Sequence, residues 1–423
     1  MTDEKSSPLV PSLRFPEFSE AGEWVESTLI NIAKFRRGSF PQPYGLPKWY
    51  DDKDGIPFVQ VFDVSDNLRL KTKTKNKISR LGTEQSVFIP SGTLIVTLQG
   101  SIGRVAITQY DAYIDRTLLL FEEFRKPTEK LFFAYVIQNL FEIEKEKAPG
   151  GIIKTITKEV LSDFKVKLPT LPEQQKIAAC LSSLDELITA HSKKLDALKK
   201  HKKGLMQQLF PAEGQTVPIL RFPEFSEAGE WVEKILGEIA KPVTKKVDGT
   251  DKVTVLTLSA EYGIISQGDY FGKKIAGENV ERYIFIIKND FVYNDRTTKL
   301  FTYGTIKRLS RYQSGMVSPI YKCFRFNEDE SPIFWEWYFE SGTHESQLHS
   351  LINEGARTGR FNISIQKFLS ISVLVPTLPE QQKIAACLSS LDELITAQSQ
   401  KLDALKKHKK GLMQQLFPAV GEE

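Results

Sequence analysis

The segment PTLPEQQKIAACLSSLDELITA occurs twice in this chain, at residues 169–190 and again at residues 376–397. The identity runs further, over the 214 − 169 + 1 = 46 positions of Pro169–Gly214 and Pro376–Gly421, which we call the long repeats. Three positions differ between the two copies: His191/Gln398, Lys193/Gln400 and Glu213/Val420. The copies lie 376 − 169 = 207 residues apart, so the chain predicts two structurally equivalent units.

A second block, LRFPEFSEAGEWVE, occurs at Leu13–Glu26 and Leu220–Glu233 with the same offset, 220 − 13 = 207, and we call these the short repeats. Between the repeats lie residues 27–168 and 234–375, the variable regions, which share little sequence. Identity that includes surface-type residues such as KKHKKG favours a shared partner surface, since packing alone tolerates hydrophobic exchanges.

The long repeats have the pattern of a helix with a coiled-coil seam. Thr170 and Glu173 form a capping-box sequence around Pro172, and Phe210-Pro211 marks the end of the helix. Apolar positions recur at alternating spacings of four and three over nearly five heptads. The predicted seam consists of Ile177, Leu181, Leu184, Ile188, His191, Leu195, Leu198, Lys202, Leu205 and Leu209, and of Ile384, Leu388, Leu391, Ile395, Gln398, Leu402, Leu405, Lys409, Leu412 and Leu416.

Each apolar stripe needs a partner, and the other copy is the obvious one. Equivalent units in one chain favour a pseudo-twofold arrangement, which makes the two helices antiparallel. The alternative is that each helix packs on its own variable region. We expect an α+β fold, with two globular α+β domains separated by two long helices in an antiparallel coiled coil. The predicted domains are residues 1–26 with the first short repeat, 27–168, the central helical region 169–214, the linker and second short repeat 215–233, 234–375, and the distal helical region 376–423.

Composition is that of a globular protein: 41% of the 423 residues are hydrophobic and 26% are charged. No apolar run approaches the ~20 residues of a membrane span, and the first residues lack a signal-peptide pattern. The three cysteines, Cys180, Cys323 and Cys387, predict neither a disulfide framework nor a metal cluster. We therefore expect a cytoplasmic protein with inert thiols and no membrane association.

The variable regions carry the candidate binding residues. RLKTKTKNKISR (residues 69–80) contains six bases and no acid, and its lysines would share one face of a strand. Such a strand is either a nucleic-acid surface or a solvated edge protected from pairing by lysine. The candidate DNA-binding residues are Arg69, Lys71, Lys73, Lys75, Lys77, Arg80, Ser101, Arg104, Arg296, Lys299, Lys307, Arg308, Arg311, Arg357, Arg360 and Asn362.

Motifs for catalysis are missing from the sequence. There is no Walker loop, no H-E-x-x-H and no G-x-S-x-G. The two histidines of THESQLH are five residues apart, a spacing that does not align on a helix face, so we expect a structural role and no metal site. We therefore predict no catalytic residue in this chain.

Taken together, the chain resembles the specificity subunit of type I restriction–modification enzymes. The resemblance rests on the doubled LPTLPEQQKIA/VPTLPEQQKIA leading into a heptad helix, on KKGLMQQLF at its end, on LRFPEF with EW, and on two dissimilar inserts. It covers essentially the whole chain, and the duplicated architecture is its most specific feature.

This resemblance implies two target-recognition domains, each recognising one half of a bipartite site in double-stranded DNA. It implies a non-catalytic subunit that binds two modification subunits, which methylate adenine N6 with S-adenosylmethionine. Two restriction subunits that use ATP and Mg²⁺ join for cleavage, and no cofactor binds this chain. Two alternatives remain open from the residues: a coiled-coil scaffold whose inserts bind protein, and a self-contained DNA-modifying enzyme.

The seam predicts a ruler for the DNA site. Inserting one heptad at matching layers of both long repeats preserves the seam and adds about 10 Å, or about three base pairs. We expect an active variant to methylate a site with a longer unread spacer and unchanged half-site sequences, as read by methylome sequencing. An unchanged spacer would contradict a ruler role for the helices. A four-residue insertion is the control, because it shifts the seam phase and strains the pairing.

Overall fold

The structure is a computed structural model that describes residues 9–147, 158–248, 253–271, 280–296, 302–351 and 363–418. The chain divides into two compact units, Met1–Lys193 with Ser399–Glu423, and Lys194–Gln398. Each unit therefore combines residues from both halves of the repeated sequence. The mixed helix and sheet content confirms the predicted α+β class.

Each long repeat forms a single helix of 39 residues: the proximal helix, Leu171–Leu209, and the distal helix, Leu378–Leu416. The first unit contains the start of the proximal helix and the end of the distal helix, and the second unit contains the complementary parts. Every predicted seam residue is buried or half-buried. The heptad interpretation is therefore confirmed, and the helix ends directly before the predicted Phe210-Pro211 stop.

The two helices run antiparallel within each unit. In the first unit Lys409 Nζ lies 2.6 Å from Asp185 Oδ1, and in the second Lys202 Nζ lies 2.5 Å from Asp392 Oδ1. Both pairs have the same index sum, 185 + 409 = 202 + 392 = 594, as an antiparallel register requires. The alternative of packing on the variable regions also contributes, because one apolar cluster per unit contains helix residues and variable-region residues together.

A buried ion pair joins each short repeat to the start of its long repeat. Arg14 Nε and Nη2 donate to the two oxygens of Glu173 at 2.8 and 2.7 Å, and Arg221 binds Glu380 in the same way at 2.7 and 2.7 Å. Both carboxylate side chains are 1% exposed. The bidentate geometry satisfies both oxygens of a desolvated carboxylate. The structure thus gives Glu173 a partner that the capping-box interpretation did not anticipate.

Each variable region enters and leaves through one antiparallel strand pair. Val25–Thr28 pairs with Lys165–Leu168, and Val232–Ile235 pairs with Ser372–Val375. In both pairs one strand lies at the boundary with the short repeat and the other at the boundary with the long repeat. The two connections of each variable region therefore lie side by side.

The first variable region contains two four-stranded sheets. In order across each sheet, the strands are Ala33–Arg37, Leu118–Phe124, Leu94–Thr97 and Val105–Ile107, and then Asn76–Ile78, Ile56–Val59, Ala112–Ile114 and Val87–Ile89. Its described helices are Leu29–Ile32, Arg80–Thr83, Lys130–Lys147 and Lys158–Asp163, with 3-10 turns at Pro47–Trp49 and Val61–Asp63, and the short repeat before it has a 3-10 turn at Pro16–Phe18. The segment GTLIVTLQGSIGRVAIT (residues 92–108) thus contains two paired strands, and PTEKLFFAYVIQNLFEIEKEK (residues 127–147) contains the helix Lys130–Lys147.

Among its described residues, the second variable region has one four-stranded sheet and two two-stranded antiparallel sheets. The sheet order is Ala240–Pro242, Lys322–Phe326, Phe291–Asn294 and Thr305–Arg308, and the pairs are Leu256–Ser259 with Gly263–Ser266, and Ile284–Ile287 with Ser314–Val317. Its described helices are Leu236–Ile239, Gln267–Phe271, Pro332–Ser341, Glu345–Ser350 and Ile365–Leu369, and the short repeat before it has a 3-10 turn at Pro223–Phe225. We call Lys130–Lys147 and Pro332–Ser341 the insert helices.

Two glycines of the long repeats lie inside the helices without a packing reason. A Cβ added to Gly204 or Gly411 would meet nothing within 4 Å, so no close approach within the chain requires glycine there. We expect Gly204→Ala and Gly411→Ala each to raise the free energy of unfolding by about 1 kcal/mol, since alanine loses less backbone entropy in a helix. Chemical denaturation of the purified chain measures this.

Gly103→Ala is the matched control. Its φ is +81°, and an added Cβ would lie 2.5 Å from Phe141 Cβ. This variant should be less stable than the parent chain, because the backbone conformation disfavours alanine and the helix behind it leaves no room. If Gly204→Ala and Gly411→Ala instead lowered the free energy of unfolding, the conclusion that no neighbouring atom requires glycine there would be contradicted.

Candidate nucleic-acid interface

The predicted basic strand of the first variable region is a loop. In residues 69–75 an isolated β-bridge pairs Leu70 with Val64, and the strand of this segment is Asn76–Ile78, at the edge of its sheet. The prediction that Lys71–Lys77 share one strand face is therefore wrong. The alternation of lysine with threonine offers no apolar side chain to bury before Ile78, which is fully buried. Between the buried Leu70 and the buried Ile78, this stretch therefore has no apolar face to pack against a core.

Internal polar groups fix the base of this loop. Asp63 accepts the backbone N–H groups of Lys75 and Gln60, each at 2.9 Å, through different carboxylate oxygens. The Tyr110 hydroxyl donates to the Lys71 carbonyl at 2.8 Å. Burial raises the pKa of the Asp63 carboxyl, while these N–H donors and the ammonium groups of Lys71 and Lys75 act in the opposite direction.

Four bases extend from this fixed loop into solvent: Arg69, Lys71, Lys73 and Lys75. We call them the basic loop. Exposed cations on an anchored backbone are suited to phosphate contacts, which position a protein on DNA without specifying sequence. Lys77 differs, since it is half-buried and its Nζ donates to the Lys53 carbonyl at 3.0 Å. Lys77 therefore lies on the edge strand with an intramolecular partner for its ammonium group.

Aromatic side chains accompany these cations, and the sequence interpretation missed them. Lys75 Nζ lies 5.0 Å from the ring centre of Phe62, which is 38% exposed. Arg116 lies 5.4 Å from the ring of Tyr44, which is 52% exposed. PYGLPKWY (residues 43–50), which holds Tyr44 and two further aromatic residues beside Lys48, was a partial signal in the sequence. Cation–aromatic pairs hold both partners at the surface, where aromatic faces can contact bases.

Two of the candidate DNA-binding residues, Ser101 and Arg104, lie in the segment GSIGR (residues 100–104), whose surroundings differ from those of the basic loop. Gly100 and Gly103 adopt positive φ, and Ser101 is exposed between them. The Arg104 guanidinium lies 2.9 Å from Asp66 Oδ1 and donates to the Val64 carbonyl at 3.3 Å. The segment is therefore a tight turn whose arginine has an intramolecular partner. Arg80 is exposed at the first position of the short helix Arg80–Thr83.

In the second variable region, two predicted bases bind acids of the insert helix. Lys307 pairs with Glu340 at 2.6 Å, and Arg308 donates to Glu336 at 2.9 and 2.7 Å. Arg296 and Arg311 are exposed. Four candidates lie outside the described residues: Lys299, Arg357, Arg360 and Asn362. The DNA-binding roles of all these residues stay predictions.

In the described ranges, few titratable groups are placed to bind a metal ion or to act in catalysis. No group of three His, Cys, Asp or Glu side chains there could hold a metal ion. His344 is buried against the Phe339 ring, and burial lowers its pKa to about 3, so it is neutral at physiological pH. Burial likewise raises the pKa of the Cys323 thiol. Over the same ranges, no helix is long and apolar enough to cross a membrane.

Comparison with known proteins identifies the architecture. A sequence model of the type I restriction modification DNA specificity domain matches residues 22–200 and again residues 228–407. The chain belongs to this family. As a specificity subunit of a type I restriction–modification system, it has two DNA-recognition domains, one per variable region. Subunits of this family are generally non-catalytic.

One sequence relative and two solved structures of the same fold match nearly the full length of the chain. The type I restriction enzyme MjaX specificity subunit of Methanocaldococcus jannaschii is 25% identical over 402 residues, 86% of this chain and 87% of that protein. The crystal structure of the S subunit from M. genitalium superposes with a TM-score of 0.58 at 14% identity, covering 97% of this chain and all of that one. A structure from a study of type I complex assembly and conformational transition gives 0.53 at 14% identity, covering 94% and 98%.

Charge removal tests the basic loop. Replacing Lys71, Lys73 and Lys75 together with Gln should weaken binding to all DNA sequences alike. It should also reduce the slope of the logarithm of the DNA association constant against the logarithm of the salt concentration, by up to about 0.9 per lost phosphate contact. Anisotropy titrations at several salt concentrations measure the slope. Replacing the exposed Lys199, Lys200 and Lys203 of the proximal helix removes the same charge elsewhere. Equal slopes in the two variants would show a general charge effect and no local contact.

Proposed function

We propose that each variable region recognises one half of a bipartite DNA site, with an unread spacer between the halves. The observation that carries this proposal is the contrast between near-identical repeats and dissimilar variable regions. A duplicated frame that holds two different recognition domains provides two different half-site specificities. The paired strands at each boundary support it, because a variable region can change without altering the strands that connect it.

The outer faces of the repeat helices are suited to partner subunits. Leu187 and Leu394, which occupy equivalent positions, are 43% and 46% exposed. Most of the KKHKKG cations are exposed in both copies. Identical exposed surfaces at two places are expected when the same partner binds twice. We therefore propose two modification subunits per chain, joined by two restriction subunits for cleavage.

The cofactors follow from these partners. S-adenosylmethionine would bind the modification subunits, where it supplies the methyl group for adenine N6. ATP and Mg²⁺ would bind the restriction subunits. This chain would contribute recognition of DNA and docking of its partners.

Exchange of one variable region tests the bipartite proposal. Residues 27–168 are replaced with the corresponding region of another family member, and the chain is expressed beside its modification subunit. We expect genome-wide N6-methyladenine mapping to show one half of the motif changed and the other half kept. The reciprocal exchange of residues 234–375 is the control and should change the opposite half. A change of both halves by either exchange would refute independent recognition.

A further inference from the structure

Both insert helices begin in the same way. The residue before each helix caps it with a side-chain oxygen: Glu129 Oε2 accepts from Phe132 N at 2.5 Å, and Ser331 Oγ accepts from Phe334 N at 3.4 Å. The capping residue and the phenylalanine are three positions apart in both variable regions. The two regions thus share a local geometry in spite of their different sequences.

A buried glutamine of each long repeat accepts a hydrogen bond from the backbone N–H of the capping residue. Gln174 Oε1 accepts from Glu129 N at 2.9 Å, and Gln381 Oε1 accepts from Ser331 N at 2.9 Å. Each glutamine amide also donates to the carbonyl of the proline that opens its own long repeat, at 3.0 and 3.1 Å. Because the bond to the variable region uses a backbone N–H, it does not depend on the side chain at that position.

The phenylalanine three positions after the cap packs against repeat residues in both units. Its ring lies in edge or tilted contact with one tryptophan of a short repeat and one phenylalanine at the end of a long repeat, at centroid distances between 5.6 and 5.9 Å. The partners are Trp24 and Phe417 for Phe132, and Trp231 and Phe210 for Phe334. The repeats therefore provide the same aromatic site to both variable regions.

Six positions after the cap, each insert helix carries an aromatic residue with a polar hydrogen. In the first unit the Tyr135 hydroxyl donates to Asp185 Oδ2 at 2.7 Å, and Lys409 Nζ lies 5.1 Å from the ring centre. The same Lys409 forms the ion pair with Asp185 that joins the two helices. The variable region thus binds directly at the contact between the repeats.

The second unit uses a different donor in the equivalent place. Trp337 Nε1 donates to Ser389 Oγ at 3.2 Å, and Lys202 Nζ lies 4.2 Å from the ring while pairing with Asp392. The long repeats carry both acceptors in both copies, since 389 − 207 = 182 and 392 − 207 = 185 correspond to Ser182 and Asp185. The same pair of repeat residues therefore serves both aromatic side chains: the aspartate accepts a hydrogen bond from tyrosine, and the serine accepts one from tryptophan.

We propose that these repeat residues form an insert socket in each unit, and that the motif cap–x–x–Phe–x–x–Tyr/Trp is the docking element that orients a recognition domain on the helices. The sockets are Gln174, Ser182, Asp185 and Lys409, and Gln381, Ser389, Asp392 and Lys202. The docking elements are Glu129, Phe132 and Tyr135, and Ser331, Phe334 and Trp337. The inference rests on the proposed function only in taking the oriented domains as the parts that recognise DNA.

Because Tyr135 and Trp337 use different acceptors, hydrogen-exchange mass spectrometry on the full chain can test the proposed socket. Ser389→Ala removes the acceptor of Trp337 and should raise the amide exchange rates of residues 332–341 about fivefold, the effect of one lost hydrogen bond. Ser182→Ala is the matched control at the equivalent position and should leave residues 130–147 unchanged, because Tyr135 uses Asp185 there. In a Trp337→Tyr background, Ser389→Ala should lose its effect, since the new hydroxyl reaches Asp392.

Any of the following results would overturn the socket. They are equal effects of Ser182→Ala and Ser389→Ala, an undiminished effect of Ser389→Ala in the Trp337→Tyr chain, and failure of Trp337→Tyr to fold. A rise in exchange throughout both units would also count against it, because that pattern reports global destabilisation and not local docking.

DNA-binding measurements test whether the docking element orients the recognition domain. With the methylated motif as probe, Trp337→Leu should lower discrimination against mismatches in one half-site about tenfold, the scale of one mismatched base pair, and Trp337→Tyr should restore it. The other half-site should be discriminated as before, and equal loss at both would refute local orientation. These measurements use the chain in complex with its modification subunit; if the parent complex shows no sequence preference, the bipartite proposal fails, while the exchange measurements still decide the socket.

Discussion

The apolar stripe of each repeat helix is covered by the other repeat helix together with a variable region, and the rest of the architecture depends on this burial. Each unit contains the start of one helix and the end of the other, so neither half of the sequence completes a unit alone. Leu416 and Phe417 lie in the same apolar cluster as Ile177 and Leu181, although more than half the chain separates them in sequence. Burial of the stripe therefore ties the two halves of the chain together.

Polar groups then fix what burial alone leaves loose. Apolar seams tolerate sliding between registers, whereas the partly buried ion pairs Asp185–Lys409 and Lys202–Asp392 are satisfied in one antiparallel register only. The Arg14–Glu173 pair and its equivalent fix the short repeats on the same helices. Breaking such a pair leaves a buried charge, which costs far more than the intact pair contributes.

Near-identity of the repeats and divergence of the variable regions have one physical origin. Repeat residues such as Gln174 contact backbone N–H groups of the variable region, and backbone groups are present whatever the side chain. The remaining surface of each recognition domain is free to change, including the basic loop that extends from Asp63. A fixed frame with two replaceable domains suits a subunit whose task is to specify DNA sequence.

The sequence by itself determined the duplicated plan, the two long helices with their seam, the α+β character of the variable regions and the family. These follow from local periodicity and from repetition, which need no knowledge of distant contacts. Only the tertiary structure decided which cations are available. Lys307 and Arg308 look like Lys71 and Lys73 in sequence, but acids of the insert helix, more than twenty residues away, bind them. The lysines of RLKTKTKNKISR look like one strand face, but a strand forms only where Ile78 has a core to enter. Availability of a charge depends on neighbours brought together by folding, and a single sequence does not state them.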